Sequence, residues 1–109
     1  MIHFLLDSRF LPLGCWEDTV DRALPSLEGS HPILDGRYRS RSTAINKCFE
    51  LASSLGYSIF AIQDGGSCHS SATAIDTYRK HGSSSKCADD GKGGPLANEV
   101  YEIKSGKNI

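Results

Sequence analysis

Four cysteines, Cys15, Cys48, Cys68 and Cys87, spread through 109 residues constrain this chain more than any other feature. A chain of 11.8 kDa closes one modest hydrophobic core and no more. Two cross-links over loops of about 20 to 70 residues would each remove on the order of 3 to 4.5 kcal/mol of unfolded-chain entropy. That is comparable with the whole net stability of a small domain. Cysteine usage of this kind predicts a single disulfide-stapled domain in an oxidising, extracellular setting. No Cys-X-X-Cys pair occurs, which argues against zinc and thioredoxin-like redox chemistry. Four cysteines allow three pairings.

Twelve basic and thirteen acidic residues leave a net charge of -1 with no long run of either sign, so nucleic acid is a poor partner. The alternation Arg37, Arg39, Arg41 is the one basic cluster. If extended, it sets three guanidinium groups on one face of a strand, either a solvated edge, a common guard against aggregation, or a contact for an anion or partner. No apolar run reaches the roughly 20 residues of a membrane span. Met1 to Leu6 is apolar but lacks a basic leader and a small-residue cleavage site, so it does not read as a signal peptide. Secretion is therefore expected from the cysteines alone.

The periodicity divides the chain into residues 1–12 as an N-terminal arm or leading strand, 13–104 as the domain and 105–109 as a polar tail. Gly14 to Trp16 belong to the first core strand, and Glu17 to Leu27 read as a short turn of helix followed by loop, with Pro25 as the interruption. The clearest element is a helix over Ser42 to Leu55. Ala44, Ile45, Cys48, Phe49, Ala52 and Leu55 form its apolar face, Ser42 or Thr43 is the expected cap and Gly56 the stop. Tyr57 to Gln63 is a strand covered on both faces. Asp64, Gly65 and Gly66 make a hairpin turn into a return strand with Cys68. Ser71 to His81 predicts a second, shorter helix with Ala74, Ile75 and Tyr78 on one face, and Asn98 to Ile103 predicts the last strand. Ser83 to Gly94 is a long loop that needs a tether, which Cys87 supplies. Helix and hairpin adjacency favours Cys48 with Cys68, leaving Cys15 for Cys87.

The residue types give no enzyme signature: no Gly-X-Ser-X-Gly elbow, phosphate loop or His-Glu-X-X-His helix is present. His3, His31, His69 and His81 share no metal-ligand spacing and read as surface or turn residues. Cys68 and His69 are neighbours on a strand and point to opposite faces, which rules them out as nucleophile and base. Asp64, Asp89 and Asp90 offer oxygen ligands for calcium without the spacing of an EF-hand, so no cofactor is expected. Trp16, Tyr38, Tyr57, Tyr78 and Tyr101 are core-edge aromatics whose faces, beside polar groups, also suit the flat C–H faces and hydroxyl rim of a sugar.

The run Gly14-Cys15-Trp16-Glu17-Asp18, the segment Asp21 to Pro25, the helix from Ala44 through Cys48 and Ala52 to Gly56-Tyr57, and Phe60 to Gln63 with Gly65, Gly66 and Cys68 together resemble the WSC domain. The resemblance covers about residues 13 to 70. It implies a PAN/Apple-like fold, a helix packed across a twisted antiparallel sheet and locked to it by disulfides, and an extracellular, carbohydrate-binding, non-catalytic role. With the short second helix read from Ser71 to His81, the expected class is α+β. The chain departs from that family in having four cysteines where about eight are typical, and in the segment Ser71 to Gly94. The expected function is recognition of a glycan or glycoprotein through Trp16, Asp18, Arg22, Gln63 and Tyr78. Trp16 would stack on the sugar and Asp18 and Gln63 would bond its hydroxyls, while a structural ion pair of Asp18 with Arg22 is the competing role. An adhesion, toxin or defence module that binds protein is the first alternative, and a small glycan hydrolase using Asp64, Glu99 or Glu102 the second.

Overall fold

The computed structural model describes residues 7–104. Residues 1–6, His3 among them, and the tail 105–109 lie outside that range. Strand β1 (Phe10–Glu17) is followed by 3-10 turns at Pro32–Leu34 and Tyr38–Ser40, helix α1 (Ala44–Ser54), strands β2 (Ile59–Gln63) and β3 (Ser67–Ser70), the single-turn helix α2 (Ala74–Thr77) and strand β4 (Ala97–Ile103). The strands form one antiparallel sheet in the order β1-β4-β2-β3. Disulfides join Cys15 to Cys87 and Cys48 to Cys68. The α+β class, the principal helix with its short companion and both pairings are as the sequence predicts.

Side-chain alternation explains how one sheet serves two cores. Phe60, Ile62, Cys68 and Tyr101 face α1 and pack with Cys48, Phe49, Leu51 and Ala52 and with Leu34. Ile59, Ala61 and Val100 face the other way and pack with Ala23, Leu24 and Ala74, partly covered by Leu13, Trp16 and Tyr78. Strand β2 is buried at all five positions, the consequence of cover on both faces. A bulge between Pro12 and Gly14 shifts the β1 register and brings Leu13 and Trp16, three residues apart, to the same face. Both outer edges of the sheet are partly capped by loops. Gly82–Ser84 bonds to β1 through Glu17 N–H to Gly82 O (2.8 Å) and Ser84 N–H to Cys15 O (3.1 Å), and Pro25–Leu27 bonds to β3 through Leu27 N–H to Cys68 O (2.8 Å). Capping of this kind removes the unpaired backbone groups that invite aggregation.

Several local expectations change. Leu55 is 49 % exposed and Leu51 fills the helical face instead, because Leu55 is the C-cap of α1 and the chain turns away at Gly56 (φ 80°). Thr43 stands at the N-cap in the left-handed region (φ 48°) and its hydroxyl caps nothing. No helical turn forms in Glu17 to Leu27, where the Asp18 side chain and the edge of β3 take the backbone donors instead. The second helix shrinks to four residues because it buries only Ala74, leaving Ile75 43 % exposed, and a single turn gains little on its own.

The arginine alternation is not extended. The 3-10 turn at Tyr38–Ser40 sends the three guanidinium groups apart: Arg37 is exposed, Arg39 pairs with Asp64, and Arg41 is buried. Arg41 grips both carboxylate oxygens of Glu28 (2.8 and 2.6 Å) and donates to the carbonyls of Gly66 and Leu34. Glu28 in turn accepts the N–H of Cys68 at 2.8 Å. One ion pair thus ties the Ser26–Leu34 loop, the β2–β3 hairpin and the start of α1 together.

Candidate functional site

The five residues expected to contact a ligand lie near one another on the face of the sheet away from α1, but in two different environments. Trp16 and Tyr78 meet edge to face with ring centroids 5.5 Å apart, both half-buried, and the Trp16 indole N–H is spent on Leu13 O at 2.9 Å. Asp18 and Gln63 are buried. Asp18 accepts from Ala23 N–H (2.9 Å) through one oxygen, and from Arg22 (2.9 Å) and the Gln63 amide (2.7 Å) through the other. Gln63 also donates to Asn98 at 2.9 Å.

Burial alone would raise the Asp18 carboxyl, but the hydrogen bonds from Ala23, Gln63, Arg22 and the Thr19 N–H outweigh it and hold it below the ordinary carboxylate range. The set fixes the Ala23–Pro25 loop over the second core. The structural ion pair of Asp18 with Arg22 is present, and with Asp18 fully buried and Gln63 6 % exposed it leaves the two little surface to offer a sugar. Arg22 keeps a side chain 41 % exposed at the rim.

His69 corrects a second expectation. Read as a surface or turn residue, it is 2 % exposed. Its Nε2 lies 3.0 Å from the Ser67 hydroxyl and its Nδ1 3.2 Å from Leu24 O, an arrangement in which Nδ1–H donates and Nε2 accepts. Strand alternation placed Ser67 and His69 on one face, so the pair was legible. Both are buried and spend their polar atoms on each other and on Leu24 O, so the pair serves packing. His31 by contrast caps the Pro32–Leu34 turn by accepting from Ile33 N–H.

Burial depresses the His69 pKa, with the Leu24 bond and Asp18 opposing and Arg22 assisting. The native state therefore stays neutral where the unfolded chain, near 6.5, has begun to take up a proton. Stability is full above 6.5 and falls as pH drops from there toward the folded-state value, by at most about 1.4 kcal/mol per pH unit. Urea midpoints at pH 7.5, 6.5 and 5.5 should decline in the parent and decline less in His69→Asn. Parallel curves would remove His69 as the cause.

Among the described residues a concave surface lies on the opposite face. A cleft of about 800 Å³ opens between the first turn of α1, strands β1 and β4, and the loop Ala88–Lys92. Phe10 and Tyr101 (centroids 5.4 Å apart) and Ile45 line it with apolar surface, and Asn46, Asp89, Asp90, Lys92 and Glu99 supply polar groups. The loop wall is held by the Cys15–Cys87 bond and by the Tyr101 hydroxyl donating to Gly91 O at 2.6 Å. It comes this close because Gly91 and Gly93 carry no Cβ, which would collide with the Tyr101 hydroxyl and the Ile62 carbonyl respectively.

Glu99 is half-buried in the cleft, and no hydrogen bond or salt bridge engages its carboxylate among the described residues. Burial, aided by the charge of Asp90, raises its pKa. The sequence offers Glu99, beside Asp64 and Glu102, as a general acid or base under the hydrolase alternative, and Asp89 and Asp90 as calcium ligands or a solvated loop. Loop closure through Cys87 makes them walls of one cleft. Asp64, the third carboxylate of that calcium reading, is engaged instead by Arg39 and by the Tyr38 hydroxyl (3.0 Å). Among the described residues no group of three His, Cys, Asp or Glu stands together to hold a metal ion, and no helix is long and apolar enough to cross a membrane. No protein-family model matches the chain, and no curated protein sequence matches it.

Proposed function

We propose that the protein is a non-enzymatic extracellular recognition module that binds a saccharide in the cleft between α1, β1, β4 and the Ala88–Lys92 loop. The observation that carries this reading is the lining. Apolar surface from Phe10, Ile45 and Tyr101 is bordered by the carboxylates of Glu99 and Asp90 and the amide of Asn46. A pyranose presents C–H faces to the first and hydroxyl donors to the second, and a carboxylate acceptor strengthens each such bond. Two disulfides in a small domain are consistent with an extracellular protein, and the resemblance to the WSC domain points to the same class of ligand. Trp16 and Tyr78 then belong to the opposite face, where they cover the second core.

A glycan array probed with the parent, Glu99→Ala and Trp16→Ala tests this. Binding should fall about 10- to 100-fold in Glu99→Ala, the loss of a charge-assisted hydrogen bond, and persist in folded Trp16→Ala. Loss in Trp16→Ala with retention in Glu99→Ala would move the site to the opposite face. Silence across the array would favour the protein-binding reading. One observation supports that second reading: Val20 is 94 % exposed and Leu96 42 % exposed, in loops joined by the Asp18 N–H to Leu96 O bond (2.9 Å). Leu96 also holds a left-handed backbone (φ 51°), unusual for its type.

A further inference from the structure

The two disulfides differ in a way that bears on the cleft. Cys48 and Cys68 are both fully buried, sealed between α1 and the sheet. Cys15 and Cys87 are only half-buried, and Ser85, Lys86, Ala88 and Asp89 around Cys87 are exposed. Thiol–disulfide exchange needs an incoming thiolate to reach a sulfur atom, so access decides which bond is attacked while the protein stays folded. Only Cys15–Cys87 offers that access.

The loop it closes is anchored at both ends by other bonds. Ser84 N–H binds Cys15 O (3.1 Å) on the early side, and Gly65 N–H binds Lys92 O (2.9 Å) and Asp64 N–H binds Gly94 O (3.1 Å) on the late side. Between these anchors, Ser85 to Asp90 are held besides the disulfide by Lys86 N–H to the Ser84 hydroxyl, the exposed Lys86–Glu17 pair, Ala88 N–H to Gly93 O, Lys92 N–H to the Asp90 carboxylate and the close approach of Gly94 to the Lys86 carbonyl, while the Tyr101 hydroxyl fixes Gly91 just beyond them. Ala88, Asp89 and Asp90 are the wall of the cleft.

We propose that Cys15–Cys87 is a redox-sensitive clamp on the cleft, opened by an external dithiol while Cys48–Cys68 keeps the fold closed. In the opening step one thiolate of the dithiol attacks a sulfur of the bond, releasing the other cysteine as a thiolate that takes a proton. The second thiol of the reagent then displaces the mixed disulfide, so the protein gains two electrons and two protons and the reagent leaves as its own disulfide. The released Ser85–Asp90 wall moves away from Glu99 and the cleft loses one side. This is a regulation of the site described under the proposed function, and it rests on that reading only for its biological meaning.

The test uses no ligand, so its outcome is separate from whether a saccharide binds. The native protein is treated with dithiothreitol for increasing times, quenched with an alkylating reagent and mapped by peptide mass spectrometry, with hydrogen exchange run on the partly reduced sample. Cys15 and Cys87 should be alkylated at least about tenfold faster than Cys48 and Cys68, since the buried pair requires global opening and the clamp does not. Exchange should rise in Ser85–Asp90 and stay slow in β2. The variant Cys15→Ser with Cys87→Ser should reproduce that exchange pattern without reductant. Alkylation of all four cysteines in one step, unfolding of the double variant, or unchanged exchange over Ser85–Asp90 after selective reduction would each overturn the proposal.

Discussion

Replacing Arg41 by alanine should lower the unfolding free energy by about 3 to 5 kcal/mol, the expected loss when one partner of a buried ion pair is removed. The Arg41 side chain is 1 % exposed, and its guanidinium serves Glu28, Gly66 O and Leu34 O at once. Without it, two buried carbonyls lose their donor and the Glu28 carboxylate keeps only the N–H of Cys68. Burial would then raise the Glu28 carboxyl, which the Arg41 bonds and the Cys68 N–H now hold low. Lysine should rescue little, because a single ammonium cannot span the carboxylate and two carbonyls in the plane a guanidinium occupies. A double-mutant cycle with Glu28→Gln should return a coupling of at least about 1 kcal/mol, since the groups are in direct contact. Urea unfolding measures Arg41→Ala, Arg41→Lys, Glu28→Gln and the double variant, and a loss under about 1 kcal/mol in Arg41→Ala would mean that the loop, hairpin and helix are tied together by something else.

The second large effect concerns the disulfides and inverts a simple expectation. Loop-closure entropy alone ranks Cys15–Cys87, with a separation of 72, above Cys48–Cys68, with a separation of 20. The corresponding figures are about 4.5 and about 3 kcal/mol. Removing the longer bridge, however, also frees Ser85–Asp90 in the native state, which recovers part of that entropy. Removing the shorter one opens a void between α1 and β3 at two fully buried positions, which adds a packing loss. The pair Cys48→Ala with Cys68→Ala should therefore be at least as destabilising as Cys15→Ala with Cys87→Ala. Denaturant titration of the two double variants decides it, and an order that follows loop length would argue against a loop released on its own.

Periodic elements were the legible part of this chain. Helix α1 announces itself through Cys48, Phe49 and Ala52, and β2 through a run whose alternate residues feed two cores. Their adjacency also led to the correct cysteine pairing. Long-range polar bonds were not legible. The alternation of Arg37, Arg39 and Arg41 has the period of a strand, yet nothing local marks Glu28, thirteen residues before Arg41, as its partner. Asp18 and Gln63 have the chemistry of sugar contacts, but 45 residues separate them and only the folded sheet reveals that they satisfy each other. The cleft was hidden for a similar reason: its acidic residues come from the segment ahead of β1, from β4 and from a loop that reads as unstructured until Cys87 fixes it.

The arrangement as a whole depends on two covalent links, one pinning the principal helix to the sheet and the other holding the late loop against the first strand. Peptide mapping of the unreduced protein, with free thiols blocked during proteolysis, tests this most directly. The account predicts two cross-linked species, one joining the Cys15 and Cys87 peptides and one joining the Cys48 and Cys68 peptides, with no labelled thiol. Free thiols at these positions, or Cys15 found with Cys48 or Cys68, would contradict it.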